Sequence, residues 1–206
     1  MTRRLLKRHF AFLYPDDEGL QDLLDLAIFI LNPKEKLSAH ITVAGPFNDP
    51  RRLPDETAFF TKICSMGVDR FTSSHQNTIF IRIDADDLRQ IWNKPDFPYN
   101  PHLTLYDGDD WELADRLYEN LHEQRMFFCF YVSRVTHVAL VKGQGSWDLL
   151  SRAKLSLLPD LKGKTAEDVK RFSIHERLYY AGEALRRAKY RALRRVPESP
   201  GMRLTA

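Results

Sequence analysis

Polar and apolar positions along the chain follow two periods, and the switches between them lay out its elements. Residues 8–14, Arg8-His9-Phe10-Ala11-Phe12-Leu13-Tyr14, have the composition of a strand and stop at Pro15. Residues 17–31 put Leu20, Leu23, Leu24, Ala27 and Leu31 on one side of a helix. Alternation returns over 38–44 and ends at Gly45-Pro46. A helix is predicted over 55–66, beginning near Pro54, and a strand over about 68–73. The order then recurs, with a strand over 78–84, a short helix over 85–93 and a strand over 100–106 that stops at Asp107-Gly108-Asp109. A helix over 110–124 carries Leu113, Leu117, Tyr118 and Leu121 on one stripe, and the apolar run 126–132 follows. A further strand over 135–142 leads into Gly143-Gln144-Gly145-Ser146. Beyond it, 165–196 reads as one or two long helices and 197–206 as a frayed end.

Strand, helix, His-bearing strand, helix, strand therefore occurs twice, although the halves share the pattern and not the residues. Their common segment is His40-Ile41-Thr42-Val43 in the first and His102-Leu103-Thr104-Leu105 in the second, 62 positions apart. In a strand, side chains at i and i+2 point to one face. His40 projects with Thr42 and His102 with Thr104, and a pseudo-twofold arrangement brings two imidazoles and two hydroxyls to one cleft. This set suits displacement at phosphorus. One imidazole accepts the nucleophile's proton and the other donates to the leaving oxygen. The threonine hydroxyls hydrogen-bond non-bridging oxygens as charge develops there. No metal and no cofactor enters this reading.

Charge divides the chain unequally. Of 31 basic and 28 acidic residues, 151–206 hold 14 and 6, a balance of +8 that leaves 1–150 at −5. Two parts are expected: a catalytic domain over 1–150 and a basic helical extension over 151–206. The extension carries Arg177, Arg186, Arg187, Lys189, Arg191, Arg194 and Arg195 between Tyr179, Tyr180, Leu185, Tyr190 and Leu193. Such a helix can grip an RNA backbone, or pack its apolar stripe on the body with its arginines solvated. No apolar run is long enough to span a membrane. The basic N-terminal residues precede too short an apolar stretch for a signal peptide, so a cytoplasmic protein is expected. Cys64 and Cys129 lie far apart without C-x-x-C spacing and are expected to be unpaired, buried residues.

The two motifs, within Ser38-Ala39-His40-Ile41-Thr42-Val43-Ala44-Gly45-Pro46-Phe47 and Tyr99-Asn100-Pro101-His102-Leu103-Thr104-Leu105, resemble those of the 2H phosphoesterase superfamily, which includes 2′-5′ RNA ligase-like proteins and cyclic phosphodiesterases. The resemblance spans about residues 7–148 and is specific only at the motifs. It implies a bilobal α+β fold, two antiparallel-rich sheets related by a pseudo-twofold axis and flanked by helices. It implies His40 and His102 as acid and base, without saying which is which, and Thr42 and Thr104 as phosphate binders. The implied substrates are 2′,3′-cyclic phosphates or 2′-5′ linkages in nucleotides or RNA ends. The basic extension is no part of the resemblance, and an RNA-binding module on the same scaffold is the rival reading.

A nucleotide base needs a stacking partner. Tyr106, which strand parity puts on the face of His102 and Thr104, and Phe47 are the candidates, with Tyr99 and Trp147 less well placed. His137 is expected as a partly buried structural residue, with an extra cleft donor as the alternative, while His9, His75, His122 and His175 have no motif context. A histidine metal site built on His40 and His102 lacks the short ligand spacing that zinc sites show.

Overall fold

A computed structural model describes residues 7–33, 37–56, 58–141 and 152–195. The protein is α+β. Six antiparallel strands, β1 (Lys7–Leu13), β2 (Ile41–Phe47), β3 (Ala58–Thr72), β4 (Asn77–Asp84), β5 (His102–Gly108) and β6 (Cys129–Val141), close a barrel in the order β1-β2-β5-β4-β3-β6. The helices are α1 (Glu18–Leu31), α2 (Trp111–Glu123), α3 (Arg152–Leu155), α4 (Ala166–Lys170) and α5 (Ile174–Arg195).

This order keeps the twofold pattern and corrects the expectation of two separate sheets. Exchanging β1 with β4, β2 with β5 and β6 with β3 returns the same ring of neighbours. The halves merge because β6 is one long strand. Its residues Cys129–Val132 pair with β3 and Val135–Val141 pair with β1. The sequence divided that strand into two.

The segment expected as a helix over 55–66 is also strand. Ile63 and Ser65 are buried while Lys62 and Met66 are exposed, a period of two along β3. Residues 85–93 make only a 3-10 turn over Asp86–Gln90.

Local chemistry explains the helix starts. The Asp17 carboxylate accepts from the N–H groups of Gly19 at 2.9 Å and Leu20 at 3.2 Å, capping α1. Asp110 caps α2 through the Leu113 N–H at 3.0 Å, and Thr165 with Asp168 forms a capping box on α4. Helix α1 is buried on nearly every side from Leu23 to Leu31, which fits a helix with a sheet below and another helix above. The covering helix is α5, whose Ala181, Ala184, Leu185, Ala188 and Ala192 are buried in the same core as the barrel's outer face. Residues of 151–206 thus share one core with the body. Among the described residues, no helix is long and apolar enough to cross a membrane.

Cys64 and Cys129 are half-exposed and joined by a disulfide, which corrects the expectation of unpaired buried thiols. Strand pairing is the reason: they are direct partners in the β3–β6 ladder, 65 residues apart in sequence.

Candidate active site

The two motif strands meet at one point. β2 and β5 share a single residue pair, Ile41 with Leu103, the residues that follow His40 and His102. In an antiparallel register, one step from that pair sets His40 across from Thr104 and His102 across from Thr42. Ile41, Val43, Leu103 and Leu105 are buried toward the helices, and all four motif polar residues are half-exposed on the other face. Strand parity read this correctly.

The surroundings of the two histidines repeat. His40 Nδ1 lies 2.6 Å from the Ser38 carbonyl oxygen, and His102 Nδ1 lies 2.7 Å from that of Asn100. A carbonyl oxygen only accepts, so Nδ1 carries the proton in each ring and Nε2 keeps the lone pair. Among the described residues neither Nε2 has a hydrogen-bond partner. His40 stacks on Phe12 with ring centroids 3.8 Å apart, and His102 leans on Phe80 at 4.8 Å. Phe12 is the ladder partner of Thr42 and Phe80 of Thr104, so two Phe-Thr-His clusters stand in equivalent places.

Burial is the main cause of the electrostatics. It pushes the His40 imidazole down to about 4, with His102 and Lys94 adding repulsion against the partial opposition of the Ser38 carbonyl. His102 is lowered as well, first by burial and then by Lys94, against the Asn100 carbonyl. Tyr14, with its ring centroid 6.4 Å from that of His40, is pushed up to about 12 by burial and by Asp25, so it stays a neutral hydroxyl.

Lys94 gave no motif signal in the sequence, and the backbone explains its position. Beyond Ile41, β2 leaves β5 and bonds to Asn93 instead. The Asn93 N–H donates to the Val43 carbonyl at 2.8 Å, and the Gly45 N–H donates to that of Asn93 at 3.2 Å. The Asn93 side chain also donates to the Arg52 carbonyl at 2.8 Å. Lys94 is therefore fixed beside the seam, close enough to repel both imidazoles.

The segment holding His40 is anchored from α1. Asp25, 1% exposed, accepts from the Ala39 N–H at 2.6 Å and from Gln21 Nε2 at 2.9 Å, while Gln21 Nε2 also reaches the Ala39 carbonyl. Lys154 of α3 completes the set, 3.2 Å from Asp25 and 2.9 Å from Asp22. Asp25→Ala strands a buried N–H and weakens the hold on Lys154, at an expected cost of about 2–3 kcal/mol in urea unfolding. Asp25→Asn, which can still accept from Ala39, is expected to cost about half as much. Equal stability of the alanine variant and wild type would contradict this anchoring.

The other sequence candidates go elsewhere. Phe47 is in the core with the Arg52 guanidinium 4.2 Å above its ring. Tyr106 is 4% exposed and its hydroxyl accepts from the Asp110 N–H at 3.0 Å. A bulge is responsible: Ile79 pairs with Tyr106 and Phe80 with Thr104, so the alternation breaks across Leu105-Tyr106 and Tyr106 turns toward the core. It still borders the cavity that holds His40. His137 is bonded to the Pro54 carbonyl and lies beside Glu56. Trp147 and Gly143-Gln144-Gly145-Ser146 lie outside the described residues, as does 197–206.

Much of the basic helix is engaged. Arg177 donates to backbone carbonyls including that of Leu31, Arg186 and Arg187 pair with Glu183, Lys189 donates to the Gln124 and Arg125 carbonyls, and Arg191 pairs with Asp17. No family model, curated protein or solved structure matches the chain.

Proposed function

We propose that this protein is a phosphodiesterase of the two-histidine kind, acting on 2′,3′-cyclic phosphate or 2′-5′ linked nucleotides or RNA ends. The observation that carries the reading is the pair of equivalent Nδ1–H anchors on His40 and His102, which leave two Nε2 lone pairs and two threonine hydroxyls on one face. The motif resemblance to the 2H phosphoesterases supports it.

The unequal depression of the two rings suggests roles. His40, pushed to about 4, is neutral at working pH and takes the part of base. Its Nε2 accepts a proton from water as the water oxygen bonds to phosphorus. The phosphorus–oxygen bond to the leaving group breaks, and Nε2–H of protonated His102 supplies that oxygen with a proton. The product is a phosphomonoester, and solvent returns both rings to their starting states. Thr42 and Thr104 donate to the non-bridging oxygens. A bound phosphate anion offsets the repulsion between His102 and Lys94 and favours the protonated acid.

The test is turnover of a panel of 2′,3′-cyclic nucleotides and 2′-5′ dinucleotides in excess EDTA. Hydrolysis to monophosphates or nucleosides, unchanged by the chelator, is expected. Folded protein that turns over none of the panel would contradict the reading.

A further inference from the structure

Two unequal cavities meet at Thr104 and Asp107. The one with His40 holds about 180 Å³ and is lined by residues including Ile28, Leu37, Ser38 and Tyr106. The one with His102 holds about 430 Å³, with Phe71, Trp92, Lys94, Phe97 and Pro98 in its wall. Phe71 is 47% exposed and Phe97 54%, an unusual state for large apolar rings lining a cavity. The Lys94 ammonium lies 5.1 Å from the Trp92 ring and 5.0 Å from that of Phe97. It has no carboxylate partner among the described residues, and burial lowers its affinity for a proton. A cation partly withdrawn from water, set over two aromatic rings and without a counterion among the described residues, is incomplete by itself. The missing complement is an anion carrying a flat ring.

We propose that the His102-side cavity is the subsite for the base of a nucleoside phosphate, with Lys94 holding the phosphate and Phe97 and Trp92 holding the ring. Resting on the phosphodiesterase reading, this fixes a polarity. The nucleoside lies toward His102, and the smaller cavity at His40 takes water or a small group. Lys94 repels both imidazoles, which puts it beside the same phosphate rather than a second one. Asp107 lines both cavities but forms no ion pair with Lys94 among the described residues, and its Oδ1 accepts from Thr78 Oγ1 at 2.8 Å and from Gln76.

Equilibrium binding tests the subsite independently of turnover. Adenosine 3′-monophosphate, ribose phosphate, inorganic phosphate and adenosine are titrated calorimetrically into the full chain. The nucleotide is expected to bind at least ~10-fold more tightly than ribose phosphate, in line with stacking energies for one base. Phe97→Ala, at an exposed position where folding is not at stake, should erase most of that ratio and leave ribose phosphate binding unchanged. Lys94→Met should weaken both phosphates by a similar factor. Equal affinities for nucleotide and ribose phosphate in wild type, or equal losses for both in Phe97→Ala, overturn the proposal. Selective nucleotide binding by a protein that fails the hydrolysis panel would keep the subsite and remove the catalytic reading.

Discussion

His40→Ala and His102→Ala are each expected to lower kcat/KM on a cyclic nucleotide by roughly 10³-fold, within the usual range for one general acid or base. The double variant should fall little further, because proton removal and proton delivery serve one transition state and their losses do not multiply. Folding needs its own control, since each ring is half-buried and packs on Phe12 or Phe80. His→Asn variants, closer in volume, guard against collapse of the Phe12 stack, and urea unfolding of each variant separates loss of chemistry from loss of structure. Both single alanine variants retaining full activity would remove these residues from the mechanism.

The same pair sets a pH signature. His40 must be neutral to accept a proton, so kcat/KM is expected to fall on the acid side near its value of about 4. His102 must be protonated to donate, and its affinity for a proton lies below the ordinary 6.5. The basic limb therefore falls below pH 6.5, and the bell sits in the mildly acidic range. Once phosphate is bound, its charge raises both limits, and the bell for kcat shifts upward. Lys94→Met should move the basic limb upward as well, because that ammonium lowers His102. A kcat/KM plateau persisting to pH 8 would contradict the assignment of His102 as acid.

The parts of the site that were legible in the sequence are those set by local periodicity. A period of two put His40 with Thr42 and His102 with Thr104 on one face, with Ile41, Val43, Leu103 and Leu105 on the other. The convergence of the two strands was legible because the order of strands repeats, although the helices do not: α1 precedes the first His strand and α2 follows the second. What escaped depends on register between distant segments. The extra residue at Leu105-Tyr106 reverses the predicted facing of Tyr106, and no single-strand pattern reveals a bulge. Lys94 reaches the cleft because Asn93 bonds to β2, a pairing between segments about 50 residues apart that no local pattern announces. Its only local signal is the density of rings and prolines in Trp92-Asn93-Lys94-Pro95-Asp96-Phe97-Pro98 ahead of the second motif. The helix expected over 55–66 failed for another reason. Its apolar positions suit either period, and the ladder partners offered by β4 and β6 decide for strand.

Reduction of the Cys64–Cys129 disulfide is expected to lower stability by about 4 kcal/mol and Tm by ~10–15 °C, with little change in activity at 25 °C. The magnitude follows from loop closure: the bridge spans 65 residues, and opening it returns that closure entropy to the unfolded chain. The separation of stability from activity follows from symmetry. The exchange of β1 with β4 and β2 with β5 leaves two seams that map onto themselves, β2–β5 and β3–β6. The first, held by one residue pair, bears the histidines, and the second carries the disulfide. Past Cys64 the second seam ends in hydrogen bonds centred on Ser65, whose hydroxyl donates to the Met126 carbonyl at 2.6 Å and accepts from the Phe128 N–H at 2.8 Å. These persist when the sulfurs part, so the strands stay in register while the unfolded state gains freedom. A disulfide of this kind persists in an oxidising compartment and is kept reduced in the cytosol, which sets it against the cytoplasmic expectation from the sequence. Thiol titration of the unreduced, denatured protein decides whether the bond is made, and thermal unfolding with and without reductant measures its worth. Two free thiols, or a Tm indifferent to reductant, would leave the β3–β6 seam to its hydrogen bonds alone.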